Sequence, residues 1–416
     1  MKKWLSRFLV FALSLFLLAA CSDNGEENGS DDAGTDETSE PTVLKFAAQN
    51  DNTPATQAVI DAFNESQDQY KVEWEVMTND SGQMHDQILT SLSSGSNEYD
   101  ILSLDVVWAG EFAGAGYLEP IDTMMNDAGL SKDAFNAGSM ASGNYKGKQY
   151  TLPFFPDLGL LYYRSDIISE EDATKLDSGN YTYEDLAEMA EKYMGEQDTK
   201  YGFVYQSAQY EGLTVNLTEF TGAFSDLKGG LEKMYEFTTA DFTPEDILTY
   251  TEGETHTAFE QGLSVFSRNW PYAYGRIQGG EDGVMISVDQ VGVAPLPNGS
   301  AVGGWLLAIN SSSTNIEGAW EFIKFVAGEE GQKIMSTQGG YLPGYNALLS
   351  DQTVIDSNAL LSYEGFKNAL ANTIARPVSP DYSRISDTIQ VNAHKYLSSG
   401  EDLDGAVAEI EAGLSE

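Results

Sequence analysis

The chain reads as an α/β protein, on three observations. Close to the start of its body, strand-like and helix-like segments follow one another in the order βαβαβ within about 60 residues, which implies a parallel sheet flanked by helices. The same alternation continues to the C terminus. Some 375 residues, roughly, remain after an acidic leader, a length that points to two domains rather than one.

Each element follows from its own residues. Val43-Leu44-Lys45-Phe46-Ala47-Ala48 is a short apolar strand. Thr53-Pro54 then opens a helix, with Thr53 as N-cap and Pro54 at the first helical position, and Ala58, Ile60 and Ala62-Phe63 carry its apolar face. Tyr70–Met77 alternates as a second strand, Met84–Leu92 has helical period, and Tyr99–Leu104 is a third, buried strand. Further on, Thr182 with Asp185 forms a capping box ahead of Leu186, Met189 and Tyr193. Thr243-Pro244 with Asp246 repeats that start signal before Ile247-Leu248. Leu263–Arg268 is a strand running into Asn269, with Pro271 just inside the next helix, and Ile316–Val326 is a strongly amphipathic helix.

The N terminus is an address. Lys2, Lys3 and Arg7 precede an apolar run from Phe8 to Leu18, and Leu18-Ala19-Ala20 leads into Cys21. A basic start, a short apolar core and small residues at a cleavage site make a secretory signal, and the run is shorter than the about 20 residues a spanning helix needs. Leu18-Ala19-Ala20-Cys21 resembles the lipobox of bacterial lipoproteins, so residues 1–20 are expected to be removed and Cys21 acylated. Residues 21–41 carry eight acids and no Lys, Arg or large apolar residue, and read as an extended, disordered tether. The membrane is reached by lipid alone, on the extracytoplasmic face. Such anchoring suits a host without an outer membrane, which would otherwise lose a released receptor.

Charge and cysteine count exclude several classes. The formal charge of −43 becomes −46 when Lys2, Lys3 and Arg7 leave with the signal. So acidic a chain is repelled by nucleic acid and by anionic lipid. Spread over every segment, the excess reads as a solvated surface adapted to salt or high pH. With one cysteine there is no disulfide within the mature chain and no Cys cluster for a metal. The isolated histidines (His85, His256 and His394) have no metal-ligand spacing, and neither a Gly-x-Ser-x-Gly elbow nor a phosphate-cradling loop occurs.

What does recur is a carboxylate beside aromatics in loops that follow strands. Asp105-Val106-Val107-Trp108 stands at the carboxyl end of the third strand, where open α/β sheets bind ligands. Phe154-Phe155-Pro156-Asp157 places another acid after two rings, and Asn269-Trp270-Pro271-Tyr272 and Gly303-Gly304-Trp305 add aromatic clusters without an acid. Flat rings with a polar handle match the apolar C–H face of a sugar, and carboxylates or Arg match its hydroxyls.

These segments, with Tyr201-Gly202-Phe203-Val204, Gln209-Tyr210-Glu211-Gly212-Leu213, Val291–Pro297 and Ala375-Arg376-Pro377 with Tyr382, resemble in order the extracellular solute-binding proteins of sugar ABC transporters, in particular the trehalose/maltose-binding group. The resemblance covers residues 42–416. It implies a periplasmic-binding-protein fold of two α/β lobes joined by three crossings with the ligand cleft between them. Residues 42–152 and 306–345 would form the N-terminal lobe, and 153–305 and 346–416 the C-terminal lobe. It further implies hydroxyl-binding carboxylates at Asp105 and Asp157, a charged donor at Arg376, stacking platforms at Trp270 and Trp305, and walls from Tyr272, Trp108, Phe155 and Tyr210. Gly304 would let backbone approach the sugar. Asp51, His85, Glu211 and Tyr341 fall on the same ligand-side positions. The implied activity is binding without catalysis, cofactor or metal, by a monomer whose partners are a small-molecule sugar and the transmembrane subunits of a permease driven by a cytoplasmic ATPase.

The chain departs from that group where Gln49-Asn50-Asp51-Asn52-Thr53 is short by comparison, where Met84-His85 stands in place of arginine, and where Phe155 stands in place of tyrosine. Loss of such polar contacts redirects which sugar is accepted. The alternatives are a binding protein for another oligosaccharide or a polyol, a secreted glycoside hydrolase using Asp105 and Asp157 as its carboxylate pair, and a receptor for a non-sugar solute such as iron or a peptide.

Overall fold

The first strand, β1 (Thr42–Gln49), sends Leu44, Phe46 and Ala48 into one core and Ala47 into another, because strand side chains alternate between faces. Helices Ala55–Ser66 and Ser81–Ser93 return the chain to β2 (Tyr70–Met77) and β3 (Ile101–Asp105), both parallel to β1, so the expected βαβαβ unit is present. The computed structural model describes residues 40–51, 53–79 and 81–415. The expected signal peptide at residues 1–20, the expected lipidation site Cys21 and the expected tether as far as residue 39 lie outside them.

A short hairpin, β4 (Asn144–Tyr145) and β5 (Lys148–Gln149), turns through Lys146-Gly147, both at positive φ as such two-residue turns require. Next come β6 (Thr151–Leu158), β7 (Leu160–Arg164), β8 (Tyr201–Val204), β9 (Ser264–Asn269), β10 (Val291–Ala294), β11 (Ser300–Ile309) and β12 (Thr373–Ile374). They build two sheets. The six-stranded sheet has the order β12-β11-β3-β1-β2 with β6 also on β11, and the four-stranded sheet has the order β10-β7-β9-β8. Each is covered on both faces. Helices Ala55–Ser66 and Ile316–Ala327 pack Val59, Phe63, Phe322 and Ile323 on one side of the larger sheet. Met84, Ile88 and Phe112 fill the other.

Gly159 alone separates β6 in the larger sheet from β7 in the smaller one. The chain returns through β11 and leaves again after helix Glu329–Gly339. Leu342, Leu348, Val354, Leu360 and Phe366 then join Leu160, Tyr162 and Val293 in the core of the smaller sheet. The boundaries expected at 152/153 and 305/306 fall inside β6 and β11, the antiparallel pair whose ladder runs from Thr151↔Ala308 to Leu158↔Val302.

Two local expectations need correction. Thr53 does not cap its helix alone: its Oγ accepts from Ala55 N at 3.2 Å, while Asp51 accepts from Thr56 N at 3.0 Å, and the helix begins at Ala55. Thr243-Pro244 opens no α-helix. Ile247–Thr249 is one 3-10 turn, because the carbonyl of Tyr250 is drawn out to accept from the amides of Ser207 and Ala208. The helix of this region, Glu252–Glu260, starts from a capping box of Thr251 and Glu254.

Candidate functional site

The strands that join the two sheets also carry the cleft. Phe155, Pro156 and Asp157 in β6 form part of the lining of a cavity of about 680 Å³. The larger sheet adds Asn50, Asp51 and Thr53 after β1, and Thr337–Tyr341 at the end of helix Glu329–Gly339. The smaller sheet adds His256 and one side of helix Tyr272–Gly279, namely Tyr272, Gly275, Arg276 and Gly279. This volume suits a small organic ligand held in a partly apolar, pre-formed site.

Asp157 is the distinctive acid here. Its carboxyl has only one hydrogen bond among the described residues, from the neighbouring Leu158 amide at 3.3 Å. Burial pushes its carboxyl up to about 8, with the Leu158 amide and Arg268 opposing and Asp105 reinforcing. Asp51 differs. It accepts from Thr53 and Thr56 and from the Tyr341 hydroxyl at 2.9 Å, so its oxygens already serve the helix start. The Tyr341 ring stacks on Phe155 with centroids 4.4 Å apart, which fixes both rings in the cleft wall.

The two tryptophans expected to act as stacking platforms lie close to glycines. Gly304 has φ +99°, and a Cβ there would lie 2.4 Å from the Phe155 carbonyl oxygen, so only glycine allows this turn of β11 over β6. A Cβ on Gly303 would come within 2.7 Å of the Trp270 ring. Trp270 and Trp305 are half-buried, and Trp270 Nε1 donates to Glu252 at 3.3 Å. Glu252 also accepts from the Tyr210 hydroxyl at 2.7 Å, and its backbone carbonyl from Tyr272. Desolvation raises the phenol pKa of Tyr210, Tyr272 and Tyr341, so all three are neutral donors.

Trp270, Trp305, Gly304 and Tyr210 do not line the cavity, and the other positions named from sequence form two further groups outside it. Arg376 is committed internally: its guanidinium donates to Glu211 at 2.5 Å and to the Val302 carbonyl at 3.2 Å, and lies 3.8 Å from Asp105. Glu211 further accepts from Tyr382 and from Ser386. Burial drives the Asp105 carboxyl up despite Arg376 beside it. Trp108 and His85 form the second group. Trp108 is only 6% exposed and packs edge-on to Trp305 and His85 at 5.4 Å. His85 stacks on Phe112 and lies 3.1 Å from Glu111. Burial favours its neutral form, but the bonds to Glu111 and Asp86 outweigh it and the pKa rises.

Sequence reasoning missed Glu252, His256, Arg276, Gln278 and Asn358. Arg276 lies four residues after Tyr272 and so shares its helix face, which was a usable signal. Glu252 and Asn358 are brought in from distant elements, and no spacing announces them.

Residues 47–333 match the family of bacterial extracellular solute-binding proteins. The chain belongs to that family. A probable ABC transporter-binding protein of Deinococcus radiodurans is 27% identical to this solute-binding protein over 335 residues, 74% of this chain and 77% of the relative. A maltotriose-binding protein of Pyrococcus abyssi is 28% identical over 302 residues, 68% of this chain and 62% of the relative. The maltose-bound MalE3 of T. maritima superposes with a TM-score of 0.76 at 27% identity, covering 90% of this chain and 99% of that one. A Thermotoga lettingae solute-binding protein with bound α-D-tagatose has a TM-score of 0.74 at 20% identity over the same shares, and so has the same fold. The two sheets are thus the lobes of a two-lobed periplasmic-binding-protein fold. The family and the fold are those of solute-binding proteins rather than enzymes, and the family is extracellular.

Proposed function

We propose that this solute-binding protein is the lipid-anchored sugar receptor of an ABC transporter, binding an α-glucoside such as maltose or trehalose between its lobes and delivering it to the permease. The observation that carries the reading is the cavity itself, whose lining includes the under-bonded carboxyl of Asp157, the stacked rings of Phe155 and Tyr341, and Tyr272. Carboxyl and phenol groups serve sugar hydroxyls, and ring faces serve the C–H surface. Trp270, Trp305 and Gly304 belong to the same surface in this reading. Asp105, Arg376 and Glu211 form an ion network that rearranges toward ligand as the lobes move about β6 and β11. The names of the maltotriose-binding relative and the maltose-bound structure support the choice of α-glucosides.

Lipid attachment at Cys21 is supported by the residues before it and the acidic tether after it, and it raises the local concentration of receptor at the permease. Two tests apply. A thermal-shift screen of maltose, maltotriose, trehalose and mannitol should show the largest shifts with α-glucosides, and a flat screen would remove the sugar assignment. Cys21→Ser should abolish incorporation of labelled fatty acid and release the protein from membranes, whereas unchanged labelling would refute the anchor.

A further inference from the structure

Beneath Trp270 lies a buried ion pair with no place in the cleft lining. Arg268 and Glu219 each expose 1% of their side chains. Arg268 Nε donates to Glu219 Oε2 at 2.8 Å, and its Nη2 donates to Oε1 at 2.7 Å, a bidentate fork. The guanidinium then covers the Trp270 ring, with Cζ 4.1 Å from the centroid. On the other side, Glu219 Oε1 accepts from the Ala301 amide of β11 at 3.1 Å. The chain makes room for the pair at Gly159, where a Cβ would lie 1.9 Å from Glu219 Oε1 and 2.5 Å from Arg268 Nη2.

An ion pair buried this deeply is a poor way to add stability. Desolvation of both charges roughly cancels their attraction, and apolar replacements of similar volume are often neutral or stabilising. What the pair contributes instead is geometry. Trp270 is held on one face by the guanidinium plane, at its edge by Gly303, and at Nε1 by Glu252. Gly303 is the register partner of Asp157, the under-bonded cleft acid. The carboxylate that orients Arg268 therefore also holds β11 at Ala301, two residues before Gly303, against which the indole edge rests.

We propose that Glu219 and Arg268 are positioning residues for Trp270, setting the indole plane through the guanidinium and tying it to the crossing strand β11. The proposal rests on the sugar-receptor reading for its functional consequence, but the orientation of the ring is observable without any ligand. Arg268→Lys keeps the charge beside Glu219 and removes the planar group that stacks on the indole. The double variant Glu219→Gln with Arg268→Met removes both charges of the pair together, so neither partner is left without the other. Each is made with Trp270 present and with Trp270→Phe, so that difference spectra isolate the emission of Trp270.

Both variants should retain cooperative unfolding and shift the Trp270 difference emission in ligand-free protein. Affinity for maltotriose by titration calorimetry should fall about five- to thirty-fold when Trp270 is present and less than about two-fold in the Trp270→Phe background. If the double variant does not fold, Arg268→Lys alone decides. An unchanged Trp270 difference emission overturns the proposal, as does an affinity loss of equal size in both backgrounds. If the wild-type protein binds neither maltotriose nor maltose, the sugar reading fails by itself and the emission of Trp270 still tests the positioning role.

Discussion

Asp157→Asn offers a quantitative test, because the native state holds this carboxyl far from its unfolded behaviour. Burial raises it from 3.8 to about 8. Between those values the native protein keeps a proton that the unfolded chain has lost. Stability is therefore fully present below about 4, falls as pH rises toward 8, and levels off above. The whole shift corresponds to about 6 kcal/mol at 1.36 kcal/mol per pH unit. Water at the cleft mouth offsets part of that cost, so a loss of about 2–3 kcal/mol is expected. The variant keeps an oxygen for the Leu158 amide and has nothing to ionise. Urea unfolding of ligand-free protein from pH 4 to 9 should show wild type and variant equally stable at pH 4, and the variant more stable by about 2–3 kcal/mol at pH 9. The reasoning also predicts that a sugar donating a hydroxyl to this carboxylate displaces a proton below about pH 8, visible as a buffer-dependent heat of binding. Stability differences that do not change with pH would refute it.

Three further outcomes follow from the same geometry. Gly304→Ala places a Cβ 2.4 Å from the Phe155 carbonyl at φ +99°, and should lower unfolding free energy by about 2–4 kcal/mol in urea titration. Gly159→Ala intrudes on Glu219 and Arg268 and should cost a similar about 2–4 kcal/mol, with the shorter Glu219→Asp restoring part of it in the double variant. Without the leader and the eight acids before residue 42, residues 42–416 carry a formal charge of −38 and are strongly self-repelling, so raising NaCl from about 0.05 to 1 M should raise Tm by about 5 °C or more, whereas a flat or falling Tm would exclude charge repulsion as a major destabilising force.

Much of the first sheet was legible because its signals are local. The apolar run of Val43–Ala48, the alternation of Tyr70–Met77 and the helical period of Met84–Leu92 each describe one element, and the capping box of Thr182 and Asp185 stands as read. Thr243-Pro244-Glu245-Asp246 misled because a start signal competes with tertiary bonds, here the two amides that claim the Tyr250 carbonyl. The site divides the same way. Asp51, Phe155, Asp157, Tyr272 and Tyr341 meet in one cavity, but only Asp51 does so from a loop after a strand: Phe155 and Asp157 lie within β6, Tyr272 opens a helix and Tyr341 follows one. Trp108 looked like a wall residue because the chain does not reveal that Phe112 and His85 enclose it. Glu219 was invisible for a stronger reason. Its partner Arg268 is 49 positions away, and nothing in Glu211–Thr221 marks one acid as buried.

The most direct measurement is titration calorimetry of maltose and maltotriose into the ligand-stripped protein spanning residues 42–416. A sugar receptor with this cleft should bind one molecule per chain, with a negative heat-capacity change from burial of ring and C–H surface. Trp270→Ala should weaken that binding at least about ten-fold, as loss of a central aromatic contact does. Absence of heat with these sugars, with trehalose and with mannitol at several temperatures would contradict the assignment.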